Sequence, residues 1–293
     1  MKLFDAGYSS GKFIMADKAY EEADIVLYGM PMDYTVSFRP GSRFGPQRIR
    51  EASIGLEEYS VYLDRHLEQI RVHDAGDMLL PFGNAAKSLE LMKQYTAGLF
   101  RDGRFPVGLG GEHLVSWPVI QSAYDAYNDL AVIHIDAHAD LREEYEGEEL
   151  SHSTPIRKTC ELLGPENVYS FGIRSGMREE FEYAASSGMH MSRFHVAEPL
   201  KQKLPELSGR NVYVTIDIDV LDPAYAPGTG TPEAGGITSA ELLEAVRLIS
   251  ESDVNVIGCD LVEVLPAYDP AEQTSVAACK LIREMMLGFP PRP

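Results

Sequence analysis

The residues best suited to chemistry are two aspartates and a histidine spaced two positions apart, Asp136, His138 and Asp140. They follow an apolar run, residues 131–135, that predicts a buried strand. Side chains at positions i, i+2 and i+4 of an extended strand point to one face. Three potential metal ligands would therefore leave the end of this strand on the same side.

Two further segments carry the same kinds of side chain. Residues 212–222 (VYVTIDIDVLD) form a second apolar run that ends in Asp217 and Asp219, and His113 follows another predicted strand. Parallel strands align their carboxyl ends on one edge of a sheet, so these side chains can converge. Clustered carboxylates repel each other unless cations lie between them. Two divalent ions would balance the four aspartates, with Asp136 and Asp217 placed to bridge the ions.

The donor set indicates the kind of metal. Imidazole and carboxylate groups without a thiolate favour a hard or borderline ion. We expect Mn²⁺, and Zn²⁺, Fe²⁺, Ni²⁺ and Co²⁺ remain open. Two such ions lower the pKa of a shared water and supply hydroxide near neutral pH. The six residues together predict a binuclear hydrolytic site.

Three other polar residues lie close to these segments. His134 has the parity of the ligand set but lies in mid-strand, so we interpret it as a buried histidine with hydrogen-bond partners rather than as a ligand. His152, on the loop that follows, is either a proton shuttle or a loop residue that caps a helix. Glu263, after the last predicted strand, either holds a cationic substrate or is an ordinary surface glutamate.

Short apolar segments alternate with helical patterns along the chain, and several of the segments are apolar throughout. This pattern predicts an α/β fold with an eight-stranded, mostly parallel sheet covered by helices on each side, in one domain over residues 1–293. The strands are expected at residues 23–29, 69–74, 105–109, 130–136, 167–172, 189–194, 211–218 and 254–261. The helices are expected at residues 46–58, 87–100, 115–127, 154–163, 178–186, 239–249 and 273–287.

The bulk properties limit the partners. The formal net charge is −19 at pH 7, whereas nucleic acid and anionic membranes require a basic face, so we expect neither as a partner. The amino-terminal residues lack the apolar core of a signal peptide, and no apolar run reaches the roughly 18 residues that span a bilayer. The cysteines Cys160, Cys259 and Cys279 are widely spaced, which suits a reducing compartment. These features predict a cytoplasmic protein. The negative charge fits a small cationic substrate, and solubility alone explains it equally well.

Three motifs together resemble the metal signatures of the ureohydrolase family, which contains arginases, agmatinases and related enzymes. The motifs are Gly110-Gly111-Glu112-His113, Asp136-Ala137-His138-Ala139-Asp140 and Asp217-Ile218-Asp219-Val220-Leu221-Asp222-Pro223. The resemblance extends over nearly the whole chain and is strongest to bacterial agmatinases of the Bacillus type. It implies a three-layer α/β/α fold and the hydrolysis of a guanidino compound with release of urea.

The resemblance also implies roles for individual residues. The ligands that it implies for two Mn²⁺ ions are His113, Asp136, Asp140 and Asp217 for one ion, and Asp136, His138, Asp217 and Asp219 for the other. His152 matches the family's proton-shuttle histidine, Glu263 matches the carboxylate beside the guanidinium, and Asp140 would relay a proton to the leaving amine. Family members are homo-oligomers, usually trimers or hexamers, and we expect the same here.

Two departures from the arginases bear on the substrate. Arginases place an asparagine two residues after the DxHxD motif to hold the α-carboxylate of arginine, and Arg142 stands at that position. They also carry Asp-x-Asp where residues 175–177 are Ser-Gly-Met. The resemblance therefore implies agmatine, hydrolysed to putrescine and urea, with Arg142 pointing away from its amine. Guanidinobutyrate, guanidine or another guanidino compound stays an alternative, since Arg142 could pair with a substrate carboxylate. A metal-binding scaffold without catalysis is a further one.

Overall fold

The computed structural model describes residues 11–290 of the chain. Within that range the strands are β1 (Ile25–Met30), β2 (Tyr59–Ser60), β3 (Arg65–His66), β4 (Val72–Asp77), β5 (Phe105–Gly110), β6 (Leu130–Ile135), β7 (Val168–Ile173), β8 (His190–Arg193), β9 (Asn211–Asp217) and β10 (Asn255–Val262). Eight of them form one parallel sheet in the order β4-β1-β5-β10-β9-β6-β7-β8. Strands β2 and β3 form a separate antiparallel hairpin.

Residues 11–290 contain eight α-helices, and side chains cap the first turns of some of them. They are α1 (Gly45–Ser53), α2 (Ala85–Arg101), α3 (Ser116–Ala126), α4 (Pro155–Leu163), α5 (Arg178–Ser187), α6 (Ala197–Lys203), α7 (Ser239–Glu251) and α8 (Gln273–Gly288). Asn84 caps α2 by accepting from the backbone N–H of Lys87 at 3.0 Å. Thr238 caps α7 through the backbone N–H of Glu241 at 3.1 Å, and such caps stabilise a helix by about 1 kcal/mol. None of the helices in residues 11–290 is long and apolar enough to cross a membrane.

Helices cover both faces of the sheet, as the alternation of side chains in β6 illustrates. Ala131, Ile133 and Ile135 pack in an apolar cluster with residues of α7 and α8. Leu130 and Val132 point to the opposite face and pack with residues of α2 and α3. The sheet is therefore the middle layer of a three-layer α/β/α fold, which confirms the predicted fold class.

Most predicted elements are present, with informative exceptions. Every strand of the main sheet lies within three residues of its predicted bounds. The prediction that the first helix continues to residue 58 is wrong, because α1 ends at Ser53 and Gly55 follows in a turn that leads into the β2–β3 hairpin. Helix α6 is absent from the predicted elements, and its Pro199 lies in the first turn, where proline is tolerated.

The strand order brings four carboxyl ends side by side. Strands β5, β10, β9 and β6 are neighbours and run parallel. His113 follows β5, Glu263 follows β10, Asp217 ends β9, and Asp136 follows β6. The sheet therefore gathers the predicted site residues at one edge, although the chain separates His113 from Glu263 by 150 positions.

Candidate active site

The imidazole of His113 lies against three carboxylates. Its Nδ1 is 2.8 Å from Asp136 Oδ2, 3.2 Å from Asp140 Oδ2 and 3.5 Å from Asp217 Oδ2. All four residues are buried, and within the described part of the chain no group meets this Nδ1 in hydrogen-bonding geometry. A buried nitrogen aimed at several carboxylate oxygens suits a shared cation, so the donor set fits a metal ion.

A second group adjoins the first through Asp136. His138 Nδ1 is 3.0 Å from Asp219 Oδ2 and 3.6 Å from Asp136 Oδ1. Asp136 thus offers one oxygen to each histidine, as a bridging carboxylate would. Asp217 Oδ1 accepts from the backbone N–H of Asp219 at 2.8 Å, which holds the turn after β9 in place. The six predicted ligand residues are therefore brought together in two adjoining groups.

The electrostatics of the cluster indicate a need for positive charge. Burial raises the pKa of Asp217 well above its usual range, and the neighbouring carboxylates of Asp219 and Asp136 raise it further. Burial also disfavours the charged forms of His113 and His138, but their aspartate partners outweigh it and hold both imidazole pKa values well above normal. Four neighbouring carboxylates cannot all stay charged without positive charge between them. The raised pKa values show that protons supply this charge in the cluster, at positions that a metal cation could take.

His134 is a buried histidine with hydrogen-bond partners, as its mid-strand position predicts. It is fully buried, with Nδ1 2.8 Å from Ser170 Oγ and Nε2 2.9 Å from Asp136 Oδ2. Its nitrogens lie close enough to His113 and Asp136 to form a ligand-sized group. Both ring nitrogens of His134 have hydrogen-bond partners, however, and the partner of Nε2 is the carboxylate of Asp136 itself. We therefore assign His134 to holding Asp136 rather than to binding an ion.

Glu263 presents one free carboxylate oxygen beside the cluster. Its Oε1 accepts from the backbone N–H of His113 at 2.9 Å, and its own N–H donates to the carbonyl of Gly111 at 2.8 Å. A Cβ at Gly230 would lie 3.2 Å from Oε2, so glycine leaves that oxygen room. Burial, and then the carboxylate of Glu112, raise the pKa of Glu263 well above normal, which favours pairing with a cation.

Two site residues have left-handed backbone conformations that non-glycine residues rarely adopt. Asp140 has φ of 50° and Glu263 has φ of 65°. Such conformations cost about 1 kcal/mol or more and persist where the surrounding structure enforces them. Asp140 and Glu263 both line the cleft, so these two strained positions lie at the candidate site.

His152 is held in one orientation by the loop at residues 34–37. Its Nδ1 lies 2.7 Å from the carbonyl oxygen of Thr35, which can only accept, so Nδ1 carries the proton. Its backbone N–H also donates to Thr35 Oγ1 at 2.8 Å. Nε2 is left 3.2 Å from Ser37 Oγ and faces the cleft beside the cluster. Burial lowers the pKa of His152, so the ring is neutral near pH 7.

Glu112 is a site residue that sequence reasoning missed. It is fully buried and accepts from the backbone N–H groups of Tyr34 and Thr35 at 3.1 and 2.9 Å, and from Thr35 Oγ1 at 2.7 Å. Burial raises the pKa of Glu112 to about 7. Glu112 thus secures the loop that orients His152. The signal available in the sequence was an acidic residue directly before His113.

Arg174 is a second residue that the sequence did not single out. Its guanidinium donates to the backbone carbonyls of Asp219 at 2.8 Å, Val220 at 3.0 Å and Glu233 at 2.7 Å. These bonds tie the turn that carries Asp219 to the loop at residues 222–236, which contains Glu233. Arg174 therefore fixes one half of the cluster from β7, and its sequence context gives no sign of those carbonyl partners.

An open cleft of about 270 Å³ leads from the surface to the cluster. At its inner end lie His113, His138, Asp140, Asp217 and Glu263. Its outer wall includes Arg142, Tyr145 and Glu180. The guanidinium of Arg142 lies 4.7 Å from the Tyr145 ring centroid, and its Nε is 3.8 Å from Glu180 Oε2. Arg142 thus lines the cleft while its charge is directed towards these two neighbours.

Imidazole and carboxylate groups that converge at the carboxyl edge of a parallel sheet, beside an open cleft, define a metal-dependent hydrolase of the α/β/α class. Residues 23–288 match the model described as the arginase family, and the chain belongs to that family. The arginase family depends on a binuclear metal centre, and the agmatinases within it act on a guanidino substrate.

Individual relatives agree with this assignment over nearly their whole lengths. The agmatinase of Halalkalibacterium halodurans is 68% identical over 98% of this chain and 99% of its own. The agmatinase of Bacillus subtilis is 66% identical with the same coverage. The crystal structure of the agmatine ureohydrolase of Thermoplasma volcanium superimposes with a TM-score of 0.86 at 32% identity, covering 95% of this chain and 94% of that one.

Proposed function

We propose that this protein hydrolyses agmatine to putrescine and urea. The observation that carries the proposal is the 68% identity to an agmatinase over 98% of the chain. The cleft supports it independently. A negatively charged cluster and a buried glutamate at the inner end suit a guanidinium group, which stays cationic at any working pH. The net charge of −19 also favours the approach of a dication.

The proposal assigns the cluster to two Mn²⁺ ions. The ligands are His113, Asp136, Asp140 and Asp217 for one ion, and Asp136, His138, Asp217 and Asp219 for the other. When bound, two such ions supply hydroxide near neutral pH. The preference for Mn²⁺ rests on the absence of thiolate ligands from the donor set. Urea release from metal-free protein reloaded with each candidate ion separately tests it, and Mn²⁺ is expected to restore the highest kcat/KM.

Glu263 is assigned to binding the guanidinium. A planar guanidinium offers parallel N–H groups that a carboxylate meets with two charge-assisted hydrogen bonds. Glu263 lines the cleft, and its Oε1 is fixed by the N–H of His113 and keeps a lone pair. The glutamate thereby places the guanidinium carbon over the cluster, and orientation of this kind lowers the barrier to attack.

Asp140 and His152 are assigned to proton movement. Cleavage of the carbon–nitrogen bond requires a proton on the leaving amine, and the Asp140 carboxylate lines the cleft in which the substrate would bind. Asp140 carries the proton from the attacking water to the amine. His152 exchanges protons with solvent, because its neutral Nε2 faces the cleft and its Nδ1 is committed to Thr35.

The surroundings of Arg142 support agmatine over substrates with a carboxylate. The Glu180 carboxylate and the Tyr145 ring already face its guanidinium. Agmatine requires no cationic partner at the outer end of the cleft. Arg142 nonetheless lines that end, so guanidinobutyrate or another guanidino acid is the second candidate.

A substrate panel tests the proposal. Urea release is measured with agmatine, arginine, guanidinobutyrate and guanidine in the presence of Mn²⁺. Agmatine is expected to have the highest kcat/KM, by about 100-fold over arginine, since a carboxylate left without its hydrogen-bonding partners is strongly rejected. A higher kcat/KM for guanidinobutyrate would replace the first candidate with the second.

The proposal extends to the state of the protein in the cell. It takes residues 1–293 as one catalytic domain, a homotrimer or homohexamer in the cytoplasm. The continuous eight-stranded sheet supports a single domain, and the three buried, free cysteines suit a reducing compartment. The assembly rests on the family, whose members are typically oligomeric. Sedimentation equilibrium at several protein concentrations tests the assembly, and a monomer throughout would contradict it.

A further inference from the structure

A fully buried carboxylate, Asp260, lies behind His113 on the side away from the cleft. It belongs to β10, next to Thr215 of β9 in the sheet register. Three hydroxyl groups donate to it: Tyr213 to Oδ2 at 2.6 Å, and Thr215 and Ser116 to Oδ1 at 2.6 and 3.1 Å. A buried charge is costly unless it is well bonded, so this arrangement calls for an explanation.

The hydrogen bonds around Asp260 dictate where the protons lie. A hydroxyl has one proton, and that of Thr215 goes to the carboxylate at 2.6 Å rather than to Ser116 Oγ at 3.2 Å, because a charged acceptor is stronger. Thr215 Oγ1 must then accept from His113 Nε2, 3.0 Å away. In the neutral ring, which is the form that binds a metal ion, Nε2 therefore carries the proton and Nδ1 keeps a free lone pair. Nδ1 is the atom that faces Asp136, Asp140 and Asp217.

We propose that Asp260, acting through Thr215, is a positioning residue that fixes the tautomer and orientation of His113 for metal binding. The inference rests on the proposed function, because it takes His113 as a ligand. Partners of this kind tune the basicity of ligating histidines and contribute about 10- to 100-fold to metal affinity. His113 belongs to only one of the two ligand groups, so the effect falls on one ion.

The test compares Thr215→Val, which removes the hydroxyl with little change of shape, with Thr215→Ser, which keeps it. Tyr213→Phe is the matched control, since it removes a donor from Asp260 Oδ2 and leaves the Oδ1–Thr215–His113 chain intact. Metal-free protein is titrated with Mn²⁺, and unbound Mn²⁺ is followed by electron paramagnetic resonance. Thermal unfolding of each variant monitors the fold.

Thr215→Val is expected to weaken one of two Mn²⁺ sites by about 10- to 100-fold. The other site, and both sites of Thr215→Ser and Tyr213→Phe, should stay within about threefold of the wild type. Equal affinities in Thr215→Val and the wild type would overturn the inference alone. Equal losses in Thr215→Val and Tyr213→Phe would also overturn it, by showing a general packing effect. A wild-type protein that binds no Mn²⁺ would overturn both the inference and the proposed function.

Discussion

The backbone N–H of His113 donates to Glu263 Oε1 at 2.9 Å, although 150 positions separate the two residues. The bond joins the end of β5 to the end of β10, which are neighbouring strands. The candidate guanidinium-binding carboxylate is thus attached to the backbone of a candidate metal ligand. The position of this carboxylate relative to the cluster is therefore set by adjacent strands.

Glu263→Gln tests the charge of this side chain while keeping its hydrogen bond to His113. Glutamine keeps an oxygen that accepts from His113 and loses the charge that pairs with the guanidinium. Loss of a charge-assisted bond costs about 1.5–3 kcal/mol, which corresponds to about a 10- to 150-fold fall in kcat/KM for agmatine. Steady-state kinetics measure it, with the melting temperature as control. A kcat/KM within threefold of the wild type would remove Glu263 from the binding role.

His152→Asn tests the proton shuttle. Asparagine retains a side-chain donor for the Thr35 carbonyl but provides no titratable nitrogen at the cleft. General acid–base groups contribute about 10²- to 10⁴-fold, so kcat should fall by about 100-fold with little change in KM. Added imidazole should restore part of the loss in His152→Ala. A rise in KM with kcat unchanged, and no rescue by imidazole, would indicate a binding role for His152 instead.

The pH dependence follows from the burial of His152, which lowers its pKa below 6.5. A ring that accepts protons must be neutral, so the wild-type rate should hold above pH 6.5 and decline as pH falls through the lowered pKa. His152→Asn should lack that decline. The same shift affects stability, because the unfolded ring takes up a proton first as pH falls. The contribution of His152 to the free energy of unfolding therefore decreases below pH 6.5. A wild-type decline that begins above pH 7 would contradict this assignment.

Chelation should destabilise the protein because the cluster holds four buried aspartates, Asp136, Asp140, Asp217 and Asp219. An ion at 100 times its dissociation constant contributes about 2.7 kcal/mol to the free energy of unfolding. Two ions in a chain of this size correspond to about 10 °C in melting temperature. Differential scanning calorimetry with chelator, and again after Mn²⁺ is added back, measures this. An unchanged melting temperature would argue against two bound ions.

The convergence of the ligand residues could be predicted because it depends on local rules. Asp136, His138 and Asp140 share a strand-end pattern of period two, and parallel strands align such ends. Strong apolar runs locate β6 and β9, so their carboxyl ends were placed to within about a residue. That His134 is buried and has hydrogen-bond partners was also predictable, since it lies in mid-strand.

The supporting residues could not be predicted because their partners are distant in the chain. Glu112 and Thr35 are 77 positions apart, and nothing local to either indicates the bond between them. Thr215 and Asp260 meet only through the pairing of β9 with β10. Arg174 donates to backbone carbonyls, and a backbone carbonyl has no sequence signature. Loop packing and strand order, rather than residue type, decide these contacts.

Arg142 distinguishes the two substrate candidates. It lies partly exposed beside Glu180 and Tyr145, and an ion pair of that kind contributes about 1 kcal/mol or less. Arg142→Ala should therefore leave kcat/KM for agmatine within about threefold. It should lower the residual turnover of guanidinobutyrate by about 10-fold, because a substrate carboxylate loses a cationic neighbour. Arg142→Lys, which keeps the charge, should retain most of that turnover. A loss of agmatine turnover greater than 10-fold in Arg142→Ala, with metal content unchanged, would instead place Arg142 among the residues that position agmatine.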